Sequence, residues 1–141
     1  MRNYRFKRQT NKVGTFAGVT AETLRSEDPP ADLEPISDRV WLDASRVVDG
    51  FRGTPLTVSE EETDWLRVGL RRVADDIERA TSGGHVVVAV RALEIVEVDY
   101  IPAALAPAIA GWAAEEFGFP LLRADITHNG QTNQHVVTWT D

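Results

Sequence analysis

Residues 85–98, with the sequence HVVVAVRALEIVEV, decide the fold because they form a strand pattern between two helical patterns. The run from Val86 to Val90 is apolar at every position, which is typical of a strand buried on both faces of a sheet. The apolar run is interrupted near Arg91 and Ala92, where the sequence predicts a β-bulge. We therefore expect a central strand whose sheet is covered by helices.

The segment before this strand predicts an amphipathic helix over residues 59–81. Ser59 and Glu62 have the spacing of a capping box. Ser82-Gly83-Gly84 ends the helix, and it is too short and wrongly placed to be a phosphate-binding loop. The apolar stripe recurs at helical spacing: Leu66, Leu70, Val73, Ile77 and Ala80.

The segment after the strand predicts a second amphipathic helix over about residues 101–117. Its stripe is formed by Ile101, Leu105, Ile109 and Trp112, followed by Phe117. An interior proline costs about 3 kcal/mol, so either the helix kinks at Pro107 or its regular part starts near that residue. We expect the two helices to pack side by side on one face of the sheet.

The remaining strands flank these elements. Residues 4–26 predict a hairpin turning at 11–14, and residues 37–48 predict a third strand. Two last strands are expected at 121–127 and 134–140, around a turn at His128. The predicted fold class is α+β: a single mixed β-sheet with two amphipathic helices on one face, in the order β-β-β-α-β-α-β-β. A length of 141 residues predicts one domain, 1–141.

Composition excludes several classes of site. The chain has no cysteine, so disulfides, zinc–thiolate sites and cysteine nucleophiles are excluded. No apolar run approaches the roughly 18 residues that span a bilayer. The basic N-terminus lacks the apolar segment of a secretory signal, and we expect a cytoplasmic protein without membrane contact.

The polar residues give no catalytic constellation. His128 and His135 flank one turn, and with Asp125 they offer a carboxylate–histidine pair. A metal site needs three or four converging ligands, and no third ligand is evident. Glu97 and Asp99 share a strand face about 7 Å apart, and a solvated strand end explains them. No serine lies in a nucleophile elbow. We expect no enzyme activity, no metal, no nucleotide and no other cofactor.

Charge is distributed unevenly along the chain. The net charge is −7, yet residues 1–12 hold five cations and no acid, so the remaining residues carry −12. A basic hairpin on an acidic body can bind a phosphate backbone or an acidic face of a protein. It can also be a solvated edge strand that charge protects from aggregation. The nucleic-acid hypothesis names four residues: Arg5, Lys7, Arg8 and Lys12.

Several segments resemble domain IV of elongation factor G, in the same order, over about residues 5–127. That domain opens with a strand ending in Arg-Gln-Thr, a tip loop and an aromatic residue, similar to residues 8–19 here. A helix ending before Ser-Gly follows, similar to 65–83. A Val-rich strand that leads through Val-Asp into a second helix is similar to 86–113, and the strand that follows resembles 120–126.

The resemblance implies a fold like the second domain of ribosomal protein S5, and action in or near translation. The GTPase domain of the family has no counterpart, so GTP hydrolysis is not implied. The chain also departs from the family at its tip. Residues 11–14 replace a Gly- and Arg-rich loop, Val96 stands in place of a functional histidine, and Tyr100-Ile101 replaces a Ser-Ser pair.

Two functions follow as expectations. The first is a non-catalytic binding domain that contacts the ribosome or RNA through its basic hairpin. The alternative is a protein-binding accessory or immunity-type module that reuses the fold with an acidic surface. Binding to RNA falls steeply with salt, so salt dependence separates the two.

Overall fold

The computed structural model describes residues 1–9, 14–96, 100–121, 123–132 and 134–140. Its helices are α1 (Glu60–Ala80) and α2 (Leu105–Phe117), the latter preceded by a 3₁₀ turn at Pro102–Ala104. The strands are β1 (Arg2–Gln9), β2 (Gly14–Ser26), β3 (Glu34–Pro35), β4 (Val40–Asp43), β5 (Val47–Asp49), β6 (Pro55–Leu56), β7 (His85–Glu94), β8 (Arg123–Asn129) and β9 (Gln134–Thr140).

Strand β7 lies at the centre of a mixed sheet, as predicted. It pairs antiparallel with β2 and parallel with β4 and β5, in the order β1-β2-β7-β4-β3. The side chains of Val86 to Val90 are all buried. Thr20 pairs with Ala92 whereas Ala21 pairs with Val90, so Arg91 is the extra residue of a bulge. The predicted bulge is confirmed.

Helix α1 is held at its start by the predicted capping box. The amide of Glu62 donates to Oγ of Ser59 at 3.1 Å, and the amide of Ser59 donates to Oε1 of Glu62 at 3.0 Å. Four residues of the predicted stripe are buried against the sheet, whereas Ala80, the last residue of the helix, is exposed. Helices α1 and α2 pack against each other on one face of the sheet, as predicted. Helix α2 contacts β1 and β2, and helix α1 contacts β4.

Helix α2 is buried nearly all round, so the prediction that it is amphipathic is wrong. Every residue from Leu105 to Ala114 is buried. The cause is enclosure, because α1 and strands β1 and β2 contact this helix. Ile126 of β8 and Trp139 of β9 also pack against the core to which α2 belongs. The regular helix starts at Leu105, which places Pro107 in the first turn, where an amide has no intrahelical acceptor.

The predicted third strand is divided into β4 and β5. Oδ1 of Asp43 accepts hydrogen bonds from the amide of Ser45 at 3.0 Å and from its hydroxyl at 2.6 Å. Local bonds of this kind compete with a strand ladder, and the same hydroxyl bond lowers the pKa of Asp43. The two-residue strands β3 and β6 leave no periodic pattern in the sequence, and the prediction omits them.

The last two strands form a sheet of their own, so the prediction of a single sheet is wrong. Strand β8 pairs only with β9 among the described residues. Side chains, rather than a strand ladder, join this hairpin to β1: the guanidinium of Arg8 donates to the carbonyl oxygen of Ala124 from Nε and Nη2, both at 3.1 Å. The fold is therefore α+β with a mixed sheet, two helices and a separate hairpin.

Candidate nucleic-acid interface

The face of the sheet opposite the helices carries the candidate site. Alternation along β1 sends Phe6 into the core, where it is buried, and sends Arg5 and Lys7 to the other face. Strand β2 lies beside β1 and brings Phe16 opposite Lys7 in the ladder. The register of the hairpin thus places a cation next to an aromatic ring on the open face.

A cleft of about 680 Å³ opens at this place. None of the described residues that line it carries a carboxylate, although the chain as a whole has a net charge of −7. Three of them are cations and two are phenylalanines. The full lining is Arg5, Lys7, Arg8, Gly14, Thr15, Phe16, Phe51 and Val96.

Two aromatic rings form one wall of the cleft. The rings of Phe16 and Phe51 are stacked, with centroids 6.4 Å apart and an angle of 30° between their planes. The ammonium of Lys7 lies 5.9 Å from the centroid of the Phe16 ring, within the range of a cation–π contact. Phe51 is 56% exposed, so this wall presents an aromatic surface to solvent.

The loop after β5 holds Phe51 in place through backbone hydrogen bonds. Oδ1 of Asp49 accepts from the amides of Phe51 at 2.8 Å and Arg52 at 3.2 Å. The amide of Gly53, whose φ is +71°, donates to the carbonyl oxygen of Asp49 at 2.6 Å. The amide of Gly50 donates to the carbonyl oxygen at position 93 at 2.9 Å, which ties the loop to β7.

A buried carboxylate lies beside the cleft and fixes one of its cations. Glu94 is 4% exposed, the one charged residue that is buried in the described part of the chain. Its Oε2 accepts from Nη2 of Arg5 at 3.0 Å, and its Oε1 accepts from Nδ2 of Asn3 at 2.6 Å. A Cβ at Gly50 would lie 2.5 Å from Cγ of Glu94, and one at Gly18 would lie 2.9 Å from its Cβ. Both glycines are therefore needed for the close approach of the backbone to this side chain.

The four predicted contact residues have different environments. Arg5 and Lys7 share the open face and the cleft. Arg8 borders the cleft, but its guanidinium is bonded to Ala124 and lies 3.7 Å from the carboxylate of Asp125. Lys12 lies outside the described residues. The structure thus brings Arg5 and Lys7 together on the open face. It directs the guanidinium of Arg8 towards the β8–β9 hairpin.

Phe16, Phe51 and Glu94 have no role in the sequence-based prediction of the site. A signal was present for Phe51, since an aromatic residue between the two glycines of Asp49-Gly50-Phe51-Arg52-Gly53 is unusual for a solvated turn. A signal was present for Glu94 as well, because it follows Leu93 in a strand that is otherwise buried. Their meeting with Arg5 and Lys7 depends on sheet topology, which local patterns do not specify.

The other candidate groups do not assemble into a site. The rings of His128 and His135 lie 5.2 Å apart on facing strands. Within the described ranges, no three His, Asp or Glu side chains are grouped so that they could hold a metal ion. The predicted carboxylate pair Glu97 and Asp99 lies outside the described residues.

Comparisons with known proteins leave the family open. No protein-family model matches the chain, and no curated protein is significantly similar to it. In the part of the chain that the structure describes, no helix is both long enough and apolar enough to cross a membrane.

Proposed function

We propose that this chain is a non-catalytic RNA-binding domain that acts in or near translation, through contact with the ribosome or with RNA. The observation that carries the proposal is the cleft on the open face. Cations and stacked aromatic rings without a carboxylate are the surface that single-stranded nucleic acid prefers. The rest of this acidic chain disfavours nucleic acid through its charge, which makes the composition of the cleft more informative.

The resemblance to domain IV of elongation factor G supports the same proposal. A basic hairpin, an acidic-capped helix, a Val-rich strand and an apolar helix follow one another here as they do in that domain. We propose accordingly that the fold is like the second domain of ribosomal protein S5, in a cytoplasmic protein. The departures at Val96 and Tyr100 lead us to place the contact on the open face of the sheet, away from the family's histidine position.

The number of free cations sets the expected salt dependence. Each phosphate contact to a single strand contributes about −0.7 to the slope of log affinity against log salt concentration. Lys7 is available for such a contact, and Arg5 is partly neutralised by Glu94. The described cations therefore predict a shallow slope of about −1 to −2, and weak binding at physiological salt.

Binding to ribosomes and to a structured RNA with unpaired loops, across a salt series, tests the proposal. Lys7→Gln should weaken binding and reduce the slope by about 0.7. Arg71→Gln is the matched control, because it removes one exposed charge from α1 on the other side of the sheet. Absence of binding by the wild type at low salt would contradict the proposal, as would an equal effect of the two variants.

A groove between α1 and β9 favours a second candidate, a protein-binding accessory or immunity-type module. The groove has a volume of about 350 Å³, and Glu61 and Asp64 flank the apolar side chains of Trp65 and Val68 in it. This chemistry fits a basic segment of a partner protein. A partner protein whose binding is lost in Val68→Asp but kept in Lys7→Gln, with RNA binding absent, would select this candidate over RNA binding.

A further inference from the structure

We infer that the cleft is a site for single-stranded nucleic acid, in which one base stacks on Phe51 and a neighbouring phosphate contacts Lys7. The inference rests on the proposed function and specifies its ligand: an unpaired strand, bound mainly by stacking. It also assigns Phe51 as the residue on which affinity depends most.

Exposure singles out Phe51. Among the described phenylalanines, tyrosines and tryptophans it is the one side chain that is largely exposed, whereas the others are buried or half-buried. One side of its ring is stacked with Phe16. The exposed surface is therefore the outer part of a supported aromatic pair, which is the geometry that continues into a stacked base.

Hydrogen bonds within the loop hold the backbone that carries the Phe51 ring. Two amides of the loop, those of Phe51 and Arg52, donate to the carboxylate of Asp49, and a third, that of Gly50, donates to β7. A loop fixed in this way has little conformational entropy left to lose on binding. Covering the exposed part of the Phe51 ring is favourable, since it removes apolar surface from solvent.

The charges beside the Phe51 ring indicate that base stacking contributes more to binding than attraction to the phosphate backbone does. Lys7 lies over the inner ring, 5.9 Å from its centroid, and can reach a phosphate next to the stacked base. The charge of Arg5 is offset by Glu94, with 3.0 Å between Nη2 and Oε2. Among the described cations that line the cleft, Arg8 is bonded to Ala124 and Arg5 to Glu94. A duplex would therefore gain little from them, and its paired bases could not stack on Phe51. The site should therefore select unpaired strands.

Binding of the full chain to three labelled ligands of one sequence tests the inference: single-stranded RNA, single-stranded DNA and the RNA duplex. We expect both single strands to bind more tightly than the duplex. Phe51→Ala should weaken single-strand binding by about 5- to 150-fold, the range for one stacked base, without changing the salt slope. Lys7→Gln should lower that slope, and Phe51→Trp should retain binding. Tighter binding of RNA than DNA would assign a 2′-hydroxyl contact, whereas equal binding would assign base and phosphate alone.

Two controls separate loss of stacking from loss of fold. Phe51→Leu keeps apolar bulk but removes the aromatic face, so it should lose affinity nearly as Phe51→Ala does. Leu24→Ala removes an exposed apolar side chain, 42% exposed, elsewhere on the sheet and should have no effect. Unchanged urea midpoints of the Phe51 variants would show that the fold is intact.

The failure of this inference is distinguishable from failure of the proposed function. If Phe51→Ala and Phe51→Leu bind as the wild type does, or the duplex binds as tightly as the single strands, the stacking site is refuted. The proposed function stands in that case, provided that Lys7→Gln still weakens binding. If the wild type binds none of the three ligands at low salt, both are refuted.

Discussion

The guanidinium of Arg5 neutralises the buried carboxylate of Glu94, with Nη2 and Oε2 3.0 Å apart. Arg5 is itself about half exposed, so the pair joins a buried charge to the surface of the cleft. Asn3 donates a further hydrogen bond to the same carboxylate. The pair connects β1 to β7 across β2, and it makes Arg5 a structural residue as well as a wall of the candidate site.

Removal of Arg5 should destabilise the fold. Arg5→Gln leaves the Glu94 carboxylate buried with one fewer donor, and we expect a loss of about 1–3 kcal/mol in the free energy of unfolding. In a Glu94→Gln background, Arg5→Gln should lower the free energy of unfolding by less, because a neutral amide needs no counter-charge. Urea unfolding of the four proteins in this double-mutant cycle gives the coupling energy. A coupling indistinguishable from zero would show that the ion pair does not contribute.

The contact between the helices depends on Gly69. A Cβ at this position would lie 2.6 Å from Cγ2 of Ile109, and closer still to the carbonyl oxygen of Ala106. Gly69→Ala should therefore cost about 1–3 kcal/mol through overpacking, although alanine is the better helix former. Gly130→Ala is the control, since open space surrounds its added methyl group. Equal urea midpoints for the two variants would contradict the close packing.

Substitutions on the buried stripe of α1 should lower the free energy of unfolding much more than substitutions beside it. Leu70 is fully buried, and Leu70→Ala should cost about 2–5 kcal/mol. Val68, two residues away, is 38% exposed, and Val68→Ala should change the free energy of unfolding by less than about 0.5 kcal/mol. A loss at Leu70 as small as that at Val68 would mean that the stripe is not core.

The two tyrosines should make stability fall at alkaline pH. Burial raises the pKa of Tyr4, with the charge of Glu115 as a second cause. Burial likewise raises the pKa of Tyr100, and its hydrogen bond to Glu62 adds to the effect. A folded-state pKa above the unfolded value of about 10 gives stability that is complete below that pH and is lost as pH rises above it.

Urea midpoints measured across alkaline pH test this expectation. The wild type should lose stability above about pH 10. Because Tyr4 and Tyr100 are the only tyrosines, the double variant Tyr4→Phe, Tyr100→Phe has none, and most of that loss should disappear. An identical alkaline decline in the double variant would assign the effect to other groups.

The elements that the sequence predicts correctly are those specified by local chemistry. The capping box at Ser59 and the apolar spacing from Leu66 to Ile77 define α1 without reference to the rest of the chain. The run from Val86 to Val90 is apolar on both faces, so both faces must be covered. This requirement predicts a strand at the centre of the sheet. Arg91 breaks the run, which marks the bulge.

The features that the sequence does not predict depend on non-local contacts. Enclosure of α2 follows from its contacts with α1, β1 and β2, which are distant from it in the chain. Alternation in β8 and β9 is equally compatible with an edge of the main sheet, so it does not predict a separate hairpin. Glu94 and Arg5 are far apart in the chain and meet only because β2 lies between β1 and β7. The stacking of Phe16 on Phe51 joins a strand to a loop, so neither segment alone indicates an aromatic surface.

Photocrosslinking to a single-stranded RNA that contains 4-thiouridine tests the central claim most directly, because it reports which residues touch the ligand. After trypsin digestion, Phe51 lies in the peptide 47–52 and Phe16 in the peptide 13–25. We predict adducts on these two peptides that disappear when unlabelled single strand competes. Adducts confined to the groove of Trp65 and Val68, or no adduct at low salt, would contradict the account.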